Sequence, residues 1–172
     1  PGCMAGSPLQ YSFTFRIEMN ELKDPEFCQL ANLQANALRK AMENGLDDEE
    51  TMVNVTTVGN ATLTRDFETG NPKCGGSLEG SSWIGDTNGR EDTSPANGAT
   101  SSIEIEITST CQHSKTEAEI DQEMEDMIEK VQFFIESGGY QIEIQQWSLL
   151  RDPPVQSLWP TTVNANSFEV LS

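Results

Sequence analysis

The residues whose type and spacing invite chemistry are four cysteines, Cys3, Cys28, Cys74 and Cys111. They form no Cys-x-x-Cys pair, and the single histidine, His113, follows Cys111 by two positions. The closely spaced ligand pairs of a zinc site are therefore missing, and an even number of distant cysteines fits two disulfides, with four reduced buried thiols as the alternative. Two sequons, Asn54-Val55-Thr56 and Asn60-Ala61-Thr62, agree with the oxidising compartment that disulfides need. Together they predict an extracellular chain, or one in the secretory lumen, with an organelle lumen as the alternative.

Other candidate chemistry fails on spacing. His113 lies in a polar turn, Cys111-Gln112-His113-Ser114, with nothing to mark it as the base of a Ser-His-Asp triad. Asp86-Thr87-Asn88-Gly89-Arg90-Glu91-Asp92 opens like a calcium loop, but its glycine falls at the fourth position and the twelfth is Asn97, so a turn is expected. The glycines of Cys74-Gly75-Gly76 and of Gly85 to Gly89 lack nucleotide-binding spacing and the strand-to-helix setting it requires. Glu117, Glu119, Asp121, Glu123, Glu125, Asp126 and Glu129 crowd one helix, where charged residues normally face water. We expect no catalytic, cofactor-binding or metal-ligating residue, hence no enzyme, and only weak cation binding.

Charge narrows the partners. With 10 Lys+Arg against 28 Asp+Glu the formal net charge is -18, which repels a phosphate backbone and excludes nucleic acid as a natural partner. No apolar run reaches the length of a membrane-spanning helix, and the opening Pro1-Gly2-Cys3 reads as the start of a processed chain.

These residues must be positioned by a small set of elements. Tyr11, Phe13, Phe15, Ile17 and Met19 alternate with Ser12, Thr14, Arg16 and Glu18, a period of two that gives a strand with one wet face. Asp24-Pro25-Glu26 opens a helix carrying Phe27, Leu30, Ala31, Ala37, Leu38, Ala41 and Met42, with Asn44-Gly45 as its stop. Val53, Val55 and Thr57 predict a second strand reaching Leu63, bent or bulged at Gly59. A Gly, Ser, Asn and Thr rich loop spans about 66–100, and Ile103, Ile105 and Ile107 form a third strand. Ile120, Met124, Met127, Ile128, Val131, Phe134 and Ile135 stripe a second helix ending at Gly138-Gly139. Tyr140 to Trp147 predicts a fourth strand, with Ile142 and Ile144 inward.

The order β-α-β-β-α-β predicts an α+β fold, a two-layer ferredoxin-like sandwich with two helices on one face of an antiparallel sheet ordered 4-1-3-2. One domain would occupy residues 1–151, and an extended tail residues 152–172. In that topology Cys28 and Cys74 lie at one end of the sheet and Cys3 and Cys111 at the other, so of the three connectivities this pairing distorts the fold least.

Such a disulfide-compatible, sequon-bearing β-α-β-β-α-β module resembles the SEA domain of secreted and membrane-tethered glycoproteins over about residues 10–148. Thr100-Ser101-Ser102-Ile103-Glu104-Ile105 places a serine before the third strand, as SEA domains do, but lacks the preceding glycine. The resemblance thus implies the fold and the extracellular setting, without self-cleavage.

The reading that follows is a non-enzymatic secreted structural or adhesive glycoprotein module, or an assembly subunit, acting through contacts with other subunits or its own copies. A peripheral accessory subunit of an organellar membrane complex is the first alternative, and an enzyme with a loop-covered site the second. Trp83 and Ile84 on the loop, and Trp159, Phe168, Val170 and Leu171 on the tail, are the apolar anchors expected at an interface. The expectation for the tail is that it packs on its own domain and lengthens the sheet, with docking on a neighbouring subunit as an added strand as the alternative; the break at Pro153-Pro154 suggests that the rest would fold without it.

Overall fold

A computed structural model of the chain describes residues 10–22, 24–25, 28–65, 72–74, 100–110, 116–150 and 155–171. It is an α+β fold. The strands are β1 (Tyr11–Asn20), β2 (Thr51–Val58), β3 (Ala61–Arg65), β4 (Pro72–Cys74), β5 (Thr100–Ser109), β6 (Thr162–Val163) and β7 (Glu169–Val170). The helices are α1 (Cys28–Leu46), α2 (Glu117–Glu136) and α3 (Gly139–Leu150), with short 3-10 turns at Gln156–Leu158 and Ala165–Ser167.

Alternation in β1 places Phe13, Phe15, Ile17 and Met19 in the core and leaves Ser12, Glu18 and Asn20 exposed. The strand order is β4-β3-β2-β5-β1-β6, with β7 also paired to β1, and all these pairings are antiparallel. Register pairs Phe13 with Ile107, Phe15 with Ile105 and Ile17 with Ile103, so one face is a continuous apolar row. Leu30, Ala31, Ala37, Leu38, Ala41 and Met42 of α1 and Met127, Val131 and Ile135 of α2 cover it. On the open face Arg16 pairs with Glu104 at 3.4 Å, a partly exposed ion pair that contributes little to stability.

The central order β2-β5-β1 agrees with the topology read from the sequence, but the expected fourth strand is helical. Tyr140, Ile144 and Ser148 are buried in α3, one residue per helical turn, while Ile142 is 59% exposed. Rows of period two and period 3.6 both place residues i and i+4 on one face, so Tyr140 and Ile144 satisfy either reading and only Ile142 separates them. The tail takes the sheet edge that this segment would have occupied. Both β6 and β7 pair with β1, and the Asn164 and Leu171 amides donate to the Glu18 and Thr14 carbonyls at 3.0 and 2.8 Å.

The second strand is also shorter than its pattern predicts. A bulge at Thr56 shifts the β2–β5 register between Val55 and Thr57, and Gly59 (φ +57) opens the hairpin turn into β3, so the segment to Leu63 is two strands. Within the segment expected to be loop, β4 pairs with β3.

The expected stop of α1 at Asn44-Gly45 is displaced as well. The helix runs to Leu46, and Asp47, in the left-handed region (φ 48), returns its amide to the Glu43 carbonyl at 3.0 Å. Gly45 serves packing instead: a Cβ there would lie 1.9 Å from Cζ of Phe134. The Phe134 ring lies 5.7 Å from that of Tyr140, whose hydroxyl donates to the Leu38 carbonyl at 3.0 Å. Asp24, the expected cap, accepts from Ser101 Oγ at 2.9 Å, and Glu26 and Phe27 lie outside the described residues. A capping box between Thr116 and Glu119 opens α2, and Gly138 (φ +88) ends it where the sequence expects.

Candidate functional site

The start of β1, the α1–β2 connection, the end of β5 and one side of α2 meet at one end of the sheet. Between them lies a cleft of about 200 Å³ lined by Tyr11, Asp48, Glu50, Glu123, Asp126 and Lys130, among others. Its acidity follows from where the sequence places charge: Asp48 and Glu50 come from the turn before β2, and Glu123 and Asp126 from α2.

Hydrogen bonding ties several of these groups into the fold. Asp48 Oδ1 accepts from the Glu50 amide at 2.9 Å, shaping the turn, and Gln10 Nε2 donates to Glu123. Lys130 Nζ donates to the Leu46 carbonyl at 2.6 Å, placing a positive charge at the C-terminal end of α1, where the helix dipole favours it. Among the described residues no group of three or more His, Cys, Asp and Glu is placed to hold a metal ion. The chemistry this arrangement supports is closure of the sheet end and attraction of cations from solvent.

Burial pushes the Tyr11 phenol above its ordinary value of 10.0; the hydrogen bond with Ser109 lowers it in part, and the charges of Asp48, Glu123 and Glu50 raise it. Burial alone pushes Tyr140 up as well. For both, the neutral form is favoured in the folded chain, so their contribution to stability is complete below the unfolded-state pKa of about 10 and is lost as pH rises through the raised folded value. These are the chain's two tyrosines. An alkaline titration followed at the phenolate absorbance should therefore show the half-buried Tyr11 ionising above its ordinary value, and the fully buried Tyr140 ionising only together with loss of far-ultraviolet dichroism; a Tyr140 phenolate in the folded protein would contradict it.

The sequence-predicted site residues are distributed over the fold. Cys28, at the start of α1, is buried and disulfide-bonded, and no cysteine among the described residues is free. Cys74 ends β4, which packs against α1, so the two elements carrying the expected pair are neighbours. Cys3 and Cys111 lie outside the described residues, as do Trp83, Ile84, His113 and the Asp86 to Asp92 segment. Asn54 on β2 and Asn60 in the hairpin turn are both exposed.

The tail anchors divide. Phe168 is half-buried with its ring 5.2 Å from that of Phe15, and Leu171 is half-buried beside β1. Trp159 and Val170 remain 41% and 39% exposed. Sequence reasoning missed a more exposed apolar set on the helical layer: Ile142, Leu149 and Leu150 of α3, at 59%, 57% and 71%, and Phe133 of α2, at 73%. Ile142 and Leu149 stand seven residues apart, on the helix face opposite Tyr140 and Ile144. That spacing is visible in the sequence once the segment is read with a helical period.

No described helix is long and apolar enough to cross a membrane. Comparison with protein-family models, curated proteins and solved structures found no match to the chain.

Proposed function

We propose that this chain is a non-enzymatic secreted glycoprotein module, structural or adhesive, or a subunit of an assembly, and that it works through protein–protein contacts. The observation that carries the reading is the outer face of α3. In a chain of net charge -18, Ile142, Leu149 and Leu150 are each more than half exposed on one short helix. Clustered exposed apolar side chains are characteristic of contact surfaces, because burying them against a partner releases the water that hydrates them. The disulfide at Cys28 supports an oxidising compartment.

The test is the native mass of the protein purified from its source, with its partners identified, set beside that of the Ile142→Glu, Leu149→Glu double variant. Both side chains are exposed, so the melting temperature should stay within a few degrees of the parent. The variant should leave the complex and run at the mass of the isolated chain. A parent that already runs as an isolated chain, or a variant that keeps every partner, contradicts the reading.

A further inference from the structure

Among the described residues the sheet has one face covered by helices and one left uncovered, and Asn54 and Asn60 are both exposed. On β2, Val53 and Val55 point into the core while Met52 and Asn54 are exposed. The bulge at Thr56 then turns Val58 inward as well. Across the hairpin Val58 pairs with Ala61 and Thr57 with Thr62, so Ala61 returns to the core and Thr62 is exposed. Asn60, between Gly59 and Ala61, is exposed at the turn. The rest of the open face is polar: Ser12 and Glu18 are exposed on β1, and Glu106 and Thr108 are half-exposed on β5.

We propose that Asn54 and Asn60 both carry N-linked glycans and that the open face of the sheet is the sugar-covered side of the protein. The proposal rests on the secreted reading above and adds to it which side of the molecule is modified. The donor is a polyprenyl-diphosphate-linked oligosaccharide. The asparagine amide nitrogen forms a bond to the anomeric carbon as the anomeric C–O bond to the diphosphate breaks; the lipid diphosphate leaves with the electron pair, and one amide proton passes to base. Nothing is oxidised or reduced.

Both positions tolerate the product. Neither asparagine is buried, and apart from Met52 the residues around them on this face are polar and offer a hydrated sugar hydrogen-bonding groups. The two sequons differ in when they can be read. Asn54 lies within the β2–β5 ladder, opposite Glu106, and Thr56 Oγ1 donates to the Glu104 carbonyl at 3.3 Å, so transfer there must precede closure of the sheet. Asn60 lies on a turn, and Thr62 is exposed.

The test uses the full chain passed through a eukaryotic secretory pathway, read by intact mass and by peptide mapping after treatment with a glycan-releasing amidase, which hydrolyses the side-chain amide and converts each sugar-bearing asparagine to aspartate. Two glycans are expected. Asn54→Gln and Asn60→Gln should each remove one, and Thr62→Ala should remove the second while leaving Asn60 itself in place. Met52, 62% exposed and two residues from Asn54 on the same face, reports the cover. Its oxidation by hydroxyl radicals should rise several-fold when the sugars are removed, while that of Phe133 on the helical layer should not change. A chain with Cys28 oxidised and either asparagine bare overturns the assignment, and so does Met52 oxidation that ignores the sugar; neither result touches the contact reading. A fully glycosylated chain that binds no partner defeats the contact reading and leaves the glycan assignment standing.

Discussion

A chain ending before Val155 should not fold. The expected result is loss of the cooperative thermal transition and of near-ultraviolet dichroism, the reverse of what the break at Pro153-Pro154 suggests from sequence. Val155 and Leu158 are fully buried, and large-to-small changes at such aliphatic sites cost about 2–5 kcal/mol each for Leu and somewhat less for Val. The truncation also removes β6 and β7, leaving β1 unpaired along that edge, and the Phe168 ring beside Phe15. Two further ties break: the Gln141 side chain, which donates to the Thr161 carbonyl at 2.7 Å and accepts from the Val163 amide at 2.5 Å, and the buried hydrogen bond from Gln34 Nε2 to Ser157 Oγ at 3.0 Å. Together these losses match or exceed the roughly 5–15 kcal/mol that holds an ordinary domain folded. A truncated chain that still melts cooperatively would show that residues 155–172 are an appendage. The single substitution Leu158→Ala, expected to cost about 2–5 kcal/mol in the full chain, tests the same point without deleting backbone.

The second large effect separates helix from strand at α3. Ile144→Ala should destabilise the protein by about 2–5 kcal/mol, whereas Ile142→Ala should change it by no more than about 0.5 kcal/mol. Ile144 is fully buried and Ile142 is 59% exposed, two residues apart on a helix whose inner row is Tyr140, Ile144 and Ser148. Were the segment a strand with both isoleucines inward, the two substitutions would cost alike. Denaturant unfolding of the two variants measures the difference directly, and equal midpoints would rule out the helical packing.

Local repeats of residue type were enough to encode several elements. Five apolar residues alternating from Tyr11 to Met19 have no helical reading, and in β5 Ile103, Ile105 and Ile107 likewise admit only a strand, so both were legible. The stripe of α2 runs too long at helical spacing to be a strand, and Gly138 ends it because only a residue without a Cβ adopts φ +88 freely. The exposure of Asn54 was equally open to reading, since exposure in a strand follows its alternation.

Tertiary structure decided the rest. Tyr140 to Trp147 carries a row that fits both periods, and the arbiter was the edge of β1: the tail takes that edge, and α3 is left to pack on α1. Residues 162–163 and 169–170 are too short to announce themselves as strands and gain their hydrogen bonds only because β1 is there to supply them. Gly45 reads as a helix stop from its neighbours alone; that it lies inside the helix, with the Phe134 ring against it, depends on a residue far along the chain. The acidic cleft likewise gathers side chains from β1, β5, α2 and the turn before β2. In each case the deciding contact is long-range, and no local pattern carries it.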